Sequence, residues 1–225
     1  VTSSCESCES CRATFKDTKS NDKYGETIDR THPSCACEAF EVSSYSPGPV
    51  EDSEKLYRMI ILPGDFDHLE SLTFTSVEDV YKKGLSVVRA RATNEEITDL
   101  ATDRLYVVKG AEPRTIHGFI EIDTVDVRAM QKTNVAERLF CVYDETVKRK
   151  FDPEAPHVPT HAGIFQTHFP AGEEDKKAKT KKECEKLFNY LRDPSRIIKV
   201  DKFRNGGFMT LNESSKDGKF TYEKQ

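Results

Sequence analysis

The most specific chemical pattern in the chain is made by five cysteines and one histidine: Cys5-x-x-Cys8-x-x-Cys11, then His32-Pro33-Ser34-Cys35-Ala36-Cys37. Thiolates are soft, strongly donating ligands, and a tetrahedral zinc ion takes four of them, or three with an imidazole, at about 2.0–2.3 Å. Two cysteines with two residues between them wrap a tight turn that brings both sulfurs to one ion. The triplet offers Cys5 with Cys8 and Cys8 with Cys11, while Cys35 and Cys37 close the site from the other end and His32 stands in reserve. The expected ligand set is Cys8, Cys11, Cys35 and Cys37, with Cys5 spare. A thiolate-rich set is a closed one, which suits a structural zinc rather than a catalytic zinc with an open position. Three alternatives stay open. Disulfides meet an odd total of seven cysteines, no visible signal peptide, and loops too short to close without strain. An iron–sulfur cluster matches none of the usual ferredoxin spacings. An unligated tail is the third.

The second constellation is Pro156-His157-Val158-Pro159-Thr160-His161-Ala162-Gly163-Ile164-Phe165-Gln166-Thr167-His168, which holds half of the chain's 6 histidines. Imidazole changes charge near neutral pH and serves as metal ligand or proton carrier, so His161, His157 and His168 are candidate catalytic residues. An extended Ala162–Phe169 puts His161 and His168 on opposite faces, and Pro156 and Pro159 discourage the helix that would bring His157 and His161 together. His117-Gly118-Phe119-Ile120 faintly echoes His161-Ala162-Gly163-Ile164. Paired histidines on facing strands act as acid and base on a phosphodiester, a pattern that resembles the two-histidine phosphoesterases. The Ser or Thr of that pattern, two residues after each histidine, is replaced here by Phe119 and Gly163. The structural alternative is that His161 is a hydrogen-bonded histidine that positions a loop.

Weaker candidates have plainer explanations. Cys141 lies in an apolar strand and reads as core, as does Cys184. Asp65, Asp67 and His68 match no cation loop and read as solvated turn residues. Lys148-Arg149-Lys150 and Lys176 to Lys182 could meet phosphates, but a solvated helix face explains the second run. No phosphate-cradling glycine loop, dinucleotide fingerprint or nucleophile elbow is present.

The elements that must position these residues follow from periodicity. Leu56–Leu62 and Leu85–Ala90 read as strands, separated by a short helix between Ser76 and Gly84. Thr93 and Glu96 form a capping box for a helix to about Arg104, with Ile97, Leu100 and Ala101 on one face. Leu105–Lys109, Thr115–Val127 and Leu139–Asp144 carry the densest strand signal, with Ile116, Gly118, Ile120 and Ile122 alternating onto one side. That alternation predicts an antiparallel sheet with one wet face. Gly172–Arg192 reads as the longest helix, its apolar stripe Cys184, Leu187, Phe188 and Leu191, stopped by Pro194. Ile197–Val200 and Gly207–Leu211 suggest a last hairpin, and a polar tail follows.

The expected fold is therefore α+β: a mainly antiparallel sheet with a few short helices and one longer C-terminal helix, plus a small N-terminal metal-stabilised module. Ser43–Pro49 is a turn-rich connector, which divides the chain at 1–49 and 50–225. Its 225 residues suffice for such a pair, and 36% hydrophobic content is enough for a core. No apolar run approaches the length needed to cross a bilayer, so a soluble, cytoplasmic protein is expected. The formal charge of -5 gives no global attraction to nucleic acid, which leaves only a local basic patch for such binding. The leading functional expectation is a non-catalytic accessory subunit, held by structural zinc and docking to a larger protein or protein–nucleic acid assembly. The alternative is a hydrolase centred on His161, acting on a phosphodiester.

Overall fold

The computed structural model describes residues 46–62, 65, 80, 84–105, 114–131, 138–145, 158, 160–166 and 176–206, without the side chains of 102–104, 176–183 and 205–206. In chain order the elements are β1 (Lys55–Leu62), β2 (Leu85–Arg89), α1 (Asn94–Leu105), β3 (Thr115–Asp123), α2 (Thr124–Arg128), β4 (Phe140–Asp144), β5 (His161–Gln166), α3 (Lys176–Leu191) and β6 (Ile197–Lys199). The strands form one sheet in the order β4-β5-β2-β1-β3-β6, and every pairing is antiparallel. The architecture is α+β, as the strand alternation and the helical stripe predict. Among the described residues no helix is long and apolar enough to cross a membrane.

Helices cover both faces of the sheet, so the expected wet face is absent. On one face Leu56, Ile60, Val87, Ile120 and Ile164 pack with Cys184, Leu187, Phe188 and Leu191 of α3. The stripe at offsets 0, 3, 4 and 7 is the buried side of that helix, and each large aliphatic chain so buried stabilises the fold by about 1.5–3 kcal/mol. On the other face Met59, Ile61, Val88 and Phe119 pack against Ile97, Leu100 and Ala101 of α1. Phe203 stacks on Phe119 there, with ring centroids 3.8 Å apart. Alternating residues of β1 and β2 are therefore apolar in both directions, the pattern of strands buried on both sides.

The capping box forms as its spacing requires. Glu96 N–H donates to Thr93 Oγ1 at 3.1 Å, and Thr93 N–H donates to Glu96 Oε2 at 2.7 Å. Leu105, expected to open a strand, is instead the last residue of α1. The strand expected over Thr115–Val127 stops at Asp123, and Thr124–Arg128 turns into α2. Thr124 Oγ1 donates to Glu54 O at 2.7 Å and holds the chain at that corner.

A bulge interrupts β3. Ile60 pairs with Gly118 but Ile61 pairs with Ile116, which leaves His117 as the extra residue. Ile116 consequently packs on the α1 face while Ile120 and Ile122 stay on the α3 face, so the four-residue alternation onto one side is broken. Gly84 has φ +81°, the left-handed conformation expected of a helix stop. The helix expected before it lies, apart from Val80, outside the described residues.

Ile197–Lys199 pairs with β3 across Gly118–Ile120. Its expected hairpin partner, Gly207–Leu211, lies outside the described residues, as does the polar tail. The outer edge of β4 is covered by the α2 segment: Arg128 Nη2 donates to Val142 O at 3.2 Å, and Leu139 N–H donates to Met130 O at 2.9 Å.

Candidate functional site

Two linked polar networks sit where β2 meets its neighbours. The first is centred on Arg89, the last residue of β2, which is fully buried. A guanidinium carries five N–H donors, and all five of Arg89 are engaged. Nε and Nη2 donate to Glu54 Oε1 and Oε2 at 3.0 and 2.7 Å. Nη1 donates to Asp144 Oδ1 at 2.9 Å and to Gly48 O at 2.5 Å, and Nη2 also donates to Pro49 O at 2.9 Å. Arg91 adds two bonds to the Glu54 carboxylate, at 3.0 and 3.2 Å. Burial works against the charge on Glu54, but the hydrogen bonds and charges of Arg89 and Arg91 outweigh it and hold the carboxyl below its ordinary range.

The connector leading from the N-terminal segment is thereby strapped to the sheet. Arg91 Nη1 donates to Pro47 O at 3.2 Å, Arg89 to Gly48 O and Pro49 O, and Arg128 Nη2 to Val50 O at 2.9 Å. Four consecutive carbonyls are each held by an arginine from further along the chain. Arg128 is fixed in turn by Asp52, at 2.6 Å.

The second network is centred on His161, the first residue of β5, which is 3% exposed. β5 pairs with β2 so that His161 stands opposite Val88 and Gly163 opposite Ser86. His161 Nδ1 lies 3.0 Å from Glu145 O, and Nε2 lies 2.7 Å from Ser86 Oγ. A carbonyl can only accept, so in the neutral ring Nδ1 carries the proton, Nε2 is the acceptor and the Ser86 hydroxyl donates to it. Glu145 Oε2 stands 3.7 Å from Nδ1. Burial, together with the charge of neighbouring Asp144, pushes the Glu145 carboxyl up to about 8. Since Asp144 also binds Arg89, the strap and the histidine meet at Asp144-Glu145.

Of the sequence-predicted catalytic residues, His161 is placed within hydrogen-bond reach of a reactive side chain, the Ser86 hydroxyl. His117 is exposed in its bulge on β3, and β2 and β1 lie between β3 and β5. Three strand spacings amount to roughly 14 Å, so His117 is not brought to His161. His157, His168 and all six candidate metal ligands, Cys5, Cys8, Cys11, His32, Cys35 and Cys37, lie outside the described residues. Among the described residues no group of three or more His, Cys, Asp or Glu side chains is placed to hold a metal. Cys141 and Cys184 are buried thiols outside any disulfide, consistent with their reading as core. Asp65 Oδ2 accepts from Ile61 N–H at 2.7 Å, ordinary turn chemistry. Lys148–Lys150 lie outside the described residues, and the side chains of 176–183 are not described.

Sequence reasoning missed Ser86, Arg89, Glu54, Asp144 and Glu145. A signal existed in Leu85-Ser86-Val87-Val88-Arg89, where one hydroxyl and one guanidinium interrupt a strand that is otherwise apolar and bound for the interior. No family model, curated protein or solved structure matches the chain.

Proposed function

We propose that this chain is an accessory subunit whose cysteine-rich start, closed around structural zinc, is presented by the α+β domain for docking to a larger protein partner. The observation that supports this reading is the strap: the carbonyls of Pro47, Gly48, Pro49 and Val50 are each held by an arginine. A free linker between independent modules needs no such fixing. Burying Arg89 with Glu54 and Asp144 carries a large desolvation cost, and the return visible in the fold is a fixed exit for the N-terminal segment. A segment that leaves at a fixed point and angle loses less freedom when its partner binds, which favours affinity.

The test is elemental analysis of the purified full chain combined with Cys35→Ser. One zinc per chain, lost on Cys35→Ser while the urea transition of the main domain is retained, is the expected result. Metal-free wild-type chain that resists proteolysis throughout residues 1–45 would overturn the zinc part of the reading. Binding to nucleic acid that weakens steeply with salt would replace the protein partner by a phosphate backbone.

A further inference from the structure

The β1–β2 ladder makes the pairs Leu56↔Arg89 and Tyr57↔Val88 and then stops, although the same register would next set Arg58 opposite Val87 and then Met59 opposite Ser86. Ala90 N–H donates to Lys55 O on β1, so by strand alternation the main-chain groups of Val88 and Ser86 also face β1. The strands instead part in a fork. Arg58 Nη1 donates to Ser86 O there at 3.0 Å, and Arg58 Nη2 lies 3.9 Å from Asp65 Oδ1. Tyr57, Arg58, Met59, Ser86, Val88 and Leu100 line a crevice of about 10 Å³, room for about one water-sized group. The Ser86 side chain, on the same strand face as Val88, donates its proton to the bare nitrogen of His161 at 2.7 Å.

We propose that Ser86 is a nucleophile, with His161 its general base and Arg58 the cation that faces negative charge developing in the fork, and that the site cleaves small uncharged carboxylic esters. Ser86 Oγ attacks the acyl carbon and its proton passes to His161 Nε2, while the carbonyl electron pair moves onto oxygen. That oxygen enters the fork beside the Arg58 guanidinium and the Ser86 amide, where a low local dielectric strengthens both. Collapse re-forms the carbonyl and breaks the bond to the leaving oxygen, which takes the proton from Nε2. Water then attacks the acyl group on Ser86 with His161 again as base, releasing the acid and restoring the hydroxyl. The Nδ1–H bond to Glu145 O fixes the tautomer this relay needs.

The substrate class follows from the size and charge of the fork. A space of one water admits a single carbonyl oxygen, whereas a phosphoryl group brings further oxygens and charge. Asp65 beside Arg58 opposes an anionic group.

The full-length chain is treated with a fluorophosphonate probe, adducts are mapped by peptide mass spectrometry, and p-nitrophenyl acetate turnover is followed in parallel. The adduct is expected on Ser86. His161→Asn should slow labelling by about 10²-fold or more, and Arg58→Gln by about 10–10²-fold, with Arg58→Lys recovering part of the loss. Urea transitions of each variant identify conditions in which it is folded. Should His161→Asn not fold, Ser86→Cys serves instead: the introduced thiol is expected to alkylate faster at pH 6.5 than an ordinary thiol. Wild-type chain with no adduct on Ser86, an introduced thiol no faster than an ordinary one, or a rate indifferent to His161→Asn would overturn the nucleophile. Labelling of Ser86 that is equally fast in Arg58→Gln would overturn the role of Arg58 alone. Hydrolysis of p-nitrophenyl phosphate in preference to the acetate would overturn the substrate class.

Discussion

Arg89 Nη1 lies 2.9 Å from Asp144 Oδ1, and neither side chain has any exposed surface. The pair joins β2 to the end of β4 across β5, which stands between those two strands in the sheet. Glu54 completes the cluster from the residue before β1. Removing the guanidinium therefore takes one donor set from two buried carboxylates and two main-chain carbonyls, and leaves Glu54 with Arg91 alone of its two arginines.

For this reason Arg89→Met is expected to cost about 3–5 kcal/mol, the range for a buried ion pair deprived of one partner. Urea unfolding of the full chain measures it. Because Arg89→Lys keeps the charge but offers three donors in place of five, its loss should be smaller and still clear. An Arg89→Met midpoint within the error of wild type would mean that the cluster is not buried in solution.

Glu145 gives the stability a pH dependence of definite sign. Its carboxyl rises from 4.5 to about 8 on folding, through burial first and the charge of Asp144 second. A raised acid binds its proton more tightly in the folded state, so its contribution is complete below pH 4.5 and is lost as pH climbs to about 8. Among the described residues the groups facing it are Asp144, whose charge is shared with Arg89, and the His161 ring. Stability should fall between pH 5 and pH 8 by at most about 1.4 kcal/mol per unit from this group. Glu145→Gln should flatten that slope. Thermal midpoints at pH 5, 6.5 and 8 for the two proteins decide it, and parallel slopes would refute the assignment. Glu54 acts on the acid side with the opposite sign, since its lowered carboxyl loses its contribution as pH falls through its folded value.

Gly163 stands under the ring of Phe165. A Cβ built there would come 2.5 Å from Phe165 Cε2 and 2.9 Å from Glu145 Oε2, and Gly84 is as close to the same ring. Gly163→Ala is thus an overpacking change, expected to cost about 1–3 kcal/mol. In a Phe165→Leu background the cost of Gly163→Ala should shrink, since the clashing ring edge is gone. A double-mutant cycle with no coupling between positions 163 and 165 would contradict this packing.

What was legible in the sequence was local. Thr93 and Glu96 are three residues apart, and their reciprocal bonds need only the first turn of a helix to form. Cys184, Leu187, Phe188 and Leu191 repeat with the helix itself, so the stripe reads directly. The polar site was not legible because its partners are distant in the chain: Ser86 meets His161 across 75 residues and Arg89 meets Asp144 across 55. Neither pairing exists until β2 has been set between β1 and β5. The bulge at His117 was hidden for a similar reason, since it arises from the register of two strands and not from β3 alone. The wet face was expected because the alternation of β3 was extended to the whole sheet, whereas β1 and β2 are apolar on both sides.

The strap has a mechanical meaning. Tension applied through the first forty-five residues would reach the domain at Pro47–Val50 and be divided among Arg89, Arg91 and Arg128. Four hydrogen bonds to successive carbonyls stand in the path of that load, and the guanidinium that carries two of them is fully buried.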